Sequence, residues 1–357
     1  MKVCIIKGDS MKNRIRLEDI AKKAGVSKMS VSLALRNDPS ISKETIKSIK
    51  KIADSMGYVP NKIAQSLVSG KSNTLAAIVG GNLHDDYHNQ FLRGAIDYAI
   101  SRGYTLTVGL TENDKKLEAD IIGKFRQMMI DGYLIFHSGD SSNYKQLVEE
   151  QIPFVMYTKY FESLDCDYVI CDDVRGGYLM TKHFIELGHK NIAFVYDIEL
   201  EKSSEVVNRK KGYLKALEEH GMEYINEMII PYHYNHYSFD NSNPEETNSE
   251  LVECLKSGEA PTAIFVCNDV VTSAFYITMK SMGYKIPEDI SIGGYEGIYL
   301  GTILDPPLTT ISTPIREMGT RACERLIDKI EGKMQMNDIS KVLLEPKLTI
   351  RNSTRGR

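Results

Sequence analysis

Residues 17–35 read LEDIAKKAGVSKMSVSLAL. Leu17, Ile20, Ala21 and Ala24 recur at i, i+3, i+4 and i+7, the spacing of one helix face. Gly25 follows as a stop, because a residue without Cβ enters the left-handed backbone region at little cost. Ser27 then stands where a hydroxyl caps a new helix by accepting a backbone N–H. Val31, Ala34 and Leu35 give that second helix its apolar side. Two short helices across a tight turn form a helix-turn-helix, whose second helix enters a DNA major groove. The same spacing also suits an ordinary pair of core helices, so the flanking sequence has to decide.

Charge favours the first reading. Residues 1–71 hold 15 Lys+Arg against 6 Asp+Glu, a net of +9. Residues 72–357 hold 29 against 42, a net of −13, so the overall −4 hides two opposite halves. A compact basic head is the electrostatic footprint of nucleic-acid binding, since neutralised phosphates release counterions. A third helix is predicted over Ser42–Gly57, with Ile46, Ile49, Ile52 and Ala53 on one side, completing a small bundle. Pro60 ends it and is tolerated at the start of another. Asn61 to Val68 is about two turns, too short to be stable alone, and Ser69-Gly70-Lys71-Ser72 reads as a linker.

Several stretches carry a family resemblance. AKKAGVSKMSVSLAL (21–35), SKETIKSIKKIADSMGYVPNKIAQSL (42–67) and SGKSNTLAAIV (69–79) resemble the lactose-repressor (LacI/GalR) family of bacterial transcriptional regulators. LRGAIDYAISRGY (92–104), DGYLIF (131–136), GHKNIAFV (188–195), PTAIFVCND (261–269), KIPEDISIGGYE (285–296) and PPLTTI (306–311) continue the match in order. The resemblance runs from about Arg14 to Thr354.

From Thr74 onward apolar runs alternate with helical periods. Strands are predicted at 74–79, 104–109, 132–136, 154–157 and 168–171, and again at 191–195, 228–231, 263–266 and 291–295. Helices such as 89–101 and 174–187 lie between them. That alternation predicts parallel, doubly wound sheets, with ligands at the carboxyl ends of their strands. The expected fold class is therefore α/β, an N-terminal all-α helix-turn-helix head plus an effector domain. The resemblance implies that this domain is two-lobed, like periplasmic binding proteins, with a cleft between the lobes. Three chain crossings are expected, near Cys171, near Tyr295 to Gly301 and near Met334 to Lys341. The expected organisation is a disordered extension (1–13, with Met11 a candidate start), the head (14–59), a hinge helix and linker (60–72) and the two-lobed domain (73–357).

The resemblance places Lys28 and Met29 at the start of the recognition helix, where base-reading side chains sit. Lys28 suits guanine O6 and N7, whereas Met29 offers only apolar contact, to a thymine methyl or to the core. Ser27 and Ser30 are candidates for phosphate or base contacts, and Arg36 for a phosphate. Leu33 departs from the family, which often has Arg there, so base preference does not carry over. Leu67 resembles the hinge-helix leucine that, paired across a dimer, wedges into a base step and kinks the duplex. Asn61, Ala64 and Lys71 match neighbouring contact positions.

For the effector, the resemblance points to Tyr87 and His88 after the first strand, Lys159 where Arg is frequent, and Arg209 at the ligand-binding arginine position. It adds the polar pair Asn268 and Asp269, and Glu296 where Asp is usual. Tyr234, in the aromatic-rich YHYNHYSF, is a candidate stacking face. Asp172-Asp173 replaces the common Asp-Asn, with a mainly structural role expected. Carboxylates, an amide and an arginine around aromatic faces suit a polyhydroxylated ligand, a sugar or a sugar derivative.

Other classes fit less well. There is no G-x-G-x-x-G after a strand, no G-x-S-x-G and no P-loop, and the histidines lack metal-ligand spacing, so neither an enzyme nor a cofactor is expected. The basic head and the lack of a convincing signal peptide oppose a transport-type sugar-binding protein. No run of 18 apolar residues is present, so no membrane span is expected. Six scattered cysteines read as reduced core residues of a cytoplasmic protein. The expected mechanism is a homodimer on a pseudo-palindromic operator, released or recruited by a small-molecule effector, or else by a partner protein. The absence of a heptad tail favours a dimer over a tetramer.

Overall fold

The computed structural model describes residues 15–59, 70–81, 86–223, 228–234, 248–258 and 260–357. The expected extension, and Asn61, Ala64 and Leu67 of the expected hinge, lie outside the described residues. The chain divides into two compact units between Ser72 and Asn73.

The first unit holds α1 (Leu17–Ala24), α2 (Lys28–Leu35) and α3 (Lys43–Ser55). Helices this short are marginal alone, so burial of a shared face has to hold them. Ile20, Ala21, Val31, Ala34, Ile49 and Ala53 form that common core, one or more from every helix. The ends are fixed locally. Gly25 adopts φ 67° after α1, Ser27 accepts from the Ser30 N–H at the start of α2, and Ser42 accepts from the Thr45 N–H at the start of α3.

The second unit begins with β1 (Thr74–Val79), α4 (Asp86–Ser101), β2 (Thr105–Leu110), α5 (Lys115–Gln127) and β3 (Gly132–Ile135). It continues through α6 (Lys145–Glu149), β4 (Phe154–Tyr157), β5 (Asp167–Cys171), α7 (Asp173–Glu186), β6 (Ile192–Asp197), α8 (Ser204–Glu219) and β7 (Ile229–Tyr232). Then come α9 (Ser249–Lys256), β8 (Ala263–Val266), α10 (Asp269–Ser281), β9 (Ser291–Glu296) and α11 (Leu300–Ile303). The last elements are β10 (Thr309–Ser312), α12 (Ile315–Ile330), β11 (Lys341–Leu344) and β12 (Lys347–Thr349).

These strands make two six-stranded sheets among the described residues, ordered β11-β5-β4-β3-β1-β2 and β12-β10-β9-β8-β6-β7. Pairing is parallel except between β10 and β12. The central strands are buried on both faces, as helix-covered parallel sheets require, and so read as continuous apolar runs. Each sheet has its own cores, and the two constitute two lobes.

Among the described residues, three segments join the lobes. The first crossing follows Cys171, as expected, because α7 leaves β5 to pack on the second sheet. The other two differ from expectation. The second lies between Ser312 and Ile315, not at 295–301, and the third between Leu344 and Lys347, not at 334–341. Both errors have one cause. The short strands β10, β11 and β12 are partly polar or exposed and offer at most three apolar residues in a row, so the chain's return to a sheet was not visible. Residues 297–300 do touch the first lobe, since Ile298 is buried in its core and Leu300 packs against it, but the chain does not cross there.

Within the second lobe, α7 and α8 meet at glycines. A Cβ on Gly177 would lie 2.1 Å from the Arg209 carbonyl oxygen, and one on Gly212 would lie 2.1 Å from that of Val174. Only glycine permits this approach of backbones, which brings the start of α7 beside the middle of α8.

Candidate functional site

The exposed face of the head begins at the start of α2. Met29 is 74% exposed, which removes the core-packing reading of its side chain. The Lys28 ammonium lies 2.8 Å from Glu18 and holds that carboxyl below its usual range, mainly through their hydrogen bond. The pair is solvent-exposed and contributes little to stability, so Lys28 is released at small cost. Ser27 and Ser30 share a 2.9 Å hydroxyl contact beside it. Arg36, at the far end, folds back on the Ser32 carbonyl and hydroxyl at 3.2 Å. Lys71 is exposed, immediately before the second unit.

In the second unit a cavity of about 90 Å³ lies between the lobes. Its first wall includes Tyr87, His88, Asn113, Phe136, Thr158 and Lys159, and its second Leu200, Glu205, Val206, Arg209, Asn268 and Glu296. Most of these residues stand just past a strand's carboxyl end, where parallel sheets bind ligands.

The second wall is organised around Arg209, 3% exposed. Its Nε donates to Asp173 at 2.9 Å, an Nη donates to the Cys267 carbonyl at 2.7 Å, and the guanidinium lies 3.9 Å from the Tyr295 ring centroid. The Asp173 carboxyl is pushed up to about 6 by burial, against the opposing pull of Arg209. Asn268 lines the cavity while its side-chain oxygen accepts the Val271 N–H at 2.7 Å to cap α10. Glu296 ends β9 at φ 110°, a conformation that costs a residue with a Cβ on the order of 1–3 kcal/mol. Its carbonyl is held by the Thr313 N–H at 3.0 Å.

On the first wall, Tyr87 shares a 2.7 Å contact with the Thr158 hydroxyl. His88 stands edge-on to Phe136, its ring centroid 4.7 Å away. Burial, reinforced by Lys159, lowers the imidazole to about 3, so it is neutral at neutral pH. The Lys159 ammonium lies 4.1 Å from the Phe136 centroid, and burial lowers its pKa as well.

Two expected ligand residues do not line this cavity. Asp269 is fully buried and accepts from the Gly297 and Ile298 N–H groups and the Thr310 hydroxyl, bracing the turn after β9 and the strand beside it. The expected polar pair therefore splits into a lining amide and an internal brace. Tyr234 packs against the second lobe's core instead. Asn113, Phe136, Thr158 and Glu205 line the cavity without having been singled out. The rule that ligands sit at strand ends pointed to Asn113, Phe136 and Thr158. Glu205, on α8 one turn before Arg209, required the helix's orientation.

Residues 16–61 match the family profile described as bacterial regulatory proteins, lacI family, and residues 181–354 match a periplasmic binding protein-like domain. The HTH-type transcriptional regulator DegA of Bacillus subtilis (strain 168) is 32% identical over 341 residues, spanning 94% of this chain and 97% of that protein. The ribose operon repressor of Haemophilus influenzae is 28% identical over 338 residues, spanning 94% and 98%. Among solved structures, the lac repressor dimer bound to operator and the anti-inducer ONPF superposes with a TM-score of 0.78 at 21% identity, covering 96% of this chain and all of that one. The relatives are named as regulators of transcription, not as enzymes.

Proposed function

Because the chain belongs to the lacI family of bacterial regulatory proteins, whose members are DNA-binding transcriptional regulators, we propose that it is a homodimeric repressor whose operator affinity is set by a sugar or sugar derivative in the interlobe cavity. The observation that carries this reading is the cavity itself. It sits at the carboxyl ends of two parallel sheets and presents carboxylates, amides, an arginine and aromatic edges, the chemistry that hydroxyl-rich ligands require. One relative is named for a ribose operon, and the lac repressor of the same fold is a dimer bound to operator.

In the head, Ser27, Lys28, Met29, Ser30 and Arg36 contact one half-site, Arg36 at a phosphate, and Asn61, Ala64, Leu67 and Lys71 act at the centre of a pseudo-palindromic operator. Ligand closes or opens the lobes about the three crossings, and residues 60–72 carry that change to the heads. Only a ligand that prefers one lobe arrangement shifts the equilibrium, and operator binding shifts ligand affinity by the same factor.

Selection from a random duplex pool tests the DNA half of this reading. The full chain is expected to enrich an inverted repeat. Lys28→Ala should weaken binding to that repeat by about tenfold or more, with preference relaxed at one symmetric base pair. It should leave thermal unfolding of the free protein nearly unchanged, because its partner Glu18 is exposed. Enrichment of no common sequence contradicts the assignment.

A further inference from the structure

The cavity's first wall holds an ammonium that makes no ion pair among the described residues. Lys159 is 4% exposed, and among the described residues no carboxylate lies within 4.0 Å of its ammonium. That ammonium sits over the face of Phe136, 4.1 Å from the ring centroid. Beside it the His88 ring, 3% exposed, leaves Nδ1 without a hydrogen-bond partner. A buried ammonium without a counter-ion, next to a bare imidazole nitrogen, is costly unless something else supplies the missing partners.

The opposite wall limits what that something is. Glu205 and Glu296 both line the cavity, and Arg209 is already paired with Asp173. Glu205 and Glu118 favour the charged form of Lys159 from beyond ion-pair distance, and the Ser203 hydroxyl donates to Glu205. Two carboxylates on the facing wall repel a doubly charged phosphate about twice as strongly as a singly charged carboxylate, and they accept hydrogen bonds from hydroxyls. One lysine charge matches one negative charge.

We propose that the ligand of this cavity is a sugar acid, whose single carboxylate pairs with Lys159 beside His88 while its hydroxyls face Glu205, Glu296 and Asn268. The inference rests on the ligand-responsive reading above and narrows it to one chemical class. His88, which lines the same wall, is uncharged at neutral pH and adds no second charge.

The test uses the full chain and calorimetric titration with matched sets: D-glucose and D-galactose, their uronates with D-gluconate, and their 6-phosphates. The expected result is binding by members of the acid set alone, weakened about tenfold to a hundredfold in Lys159→Met. Equal or tighter binding by the neutral or phosphorylated forms overturns the sugar-acid inference while leaving the ligand-responsive reading intact. Binding by none of the sets counts against both. A second measurement needs no ligand. Lys159→Met replaces a buried, unpaired ammonium with an apolar chain of similar length, so the melting temperature of the ligand-free protein should rise. A fall would mean that the protein already satisfies the charge, and would also overturn the proposal.

Discussion

Arg209→Ala is expected to destabilise the two-lobed unit by about 3–5 kcal/mol, because removing one partner of a buried ion pair strands the other. Asp173 would be left as a buried carboxyl without the guanidinium that now lies 2.9 Å from it. The Cys267 carbonyl would lose its 2.7 Å donor, and Tyr295 the cation over its ring. The backbone cannot relax easily around the gap, since α7 and α8 meet at Gly177 and Gly212 with no side chains between them. Urea unfolding of the full chain measures the loss, and a change below about 1 kcal/mol would mean that the pair is not buried in solution. The double change Arg209→Met with Asp173→Leu separates stability from ligand binding. Replacing both partners with apolar side chains is often close to neutral, so this variant should fold. It is expected to fail to respond to ligand at concentrations that saturate the parent chain. A normal response would remove Arg209 from the site.

Leu67→Ala carries the second large effect. If the hinge leucines of a dimer wedge into one base step, their removal takes away the unstacking that bends the duplex, and the contacts that the bend permits. Operator affinity is expected to fall on the order of tenfold to a hundredfold, in step with a loss of bend angle measured by end-to-end energy transfer. Ligand affinity of the DNA-free protein should stay within about twofold, because the leucine belongs to the expected hinge and not to the proposed ligand set. An unchanged bend would rule out the wedge.

Much of the fold was legible because burial on both faces of a sheet leaves an unmistakable apolar run. Strands such as TLAAIV at 74–79 and AIFV at 263–266 begin and end where the periodicity changes. The head was legible for another reason: its helix ends depend on Gly25, Ser27 and Ser42, whose local chemistry is nearly independent of the rest of the chain. What was not legible were elements stabilised only from far away. Lys341–Leu344 becomes a strand because β5 offers it an edge, and Lys347–Thr349 because β10 does. In the cavity, the family resemblance pointed to Tyr87, His88, Lys159, Arg209, Asn268 and Glu296, all of which line it, but not to the direction of the next side chain along. Asp269 follows Asn268 directly, yet it turns into the lobe to hold the backbone at 297–298. Asp173 was expected to be structural, and its partner proves to be the arginine of the cavity's second wall.

The central claim is that one molecule in the cavity changes the affinity of the head for its operator. The direct measurement is an anisotropy titration of the full chain onto its selected inverted repeat, with and without a saturating concentration of the sugar acid identified by calorimetry. The operator dissociation constant is expected to shift by about 5- to 150-fold, with ligand affinity shifted by the same factor when operator is present. Operator affinity that is identical with the cavity empty and filled would contradict it.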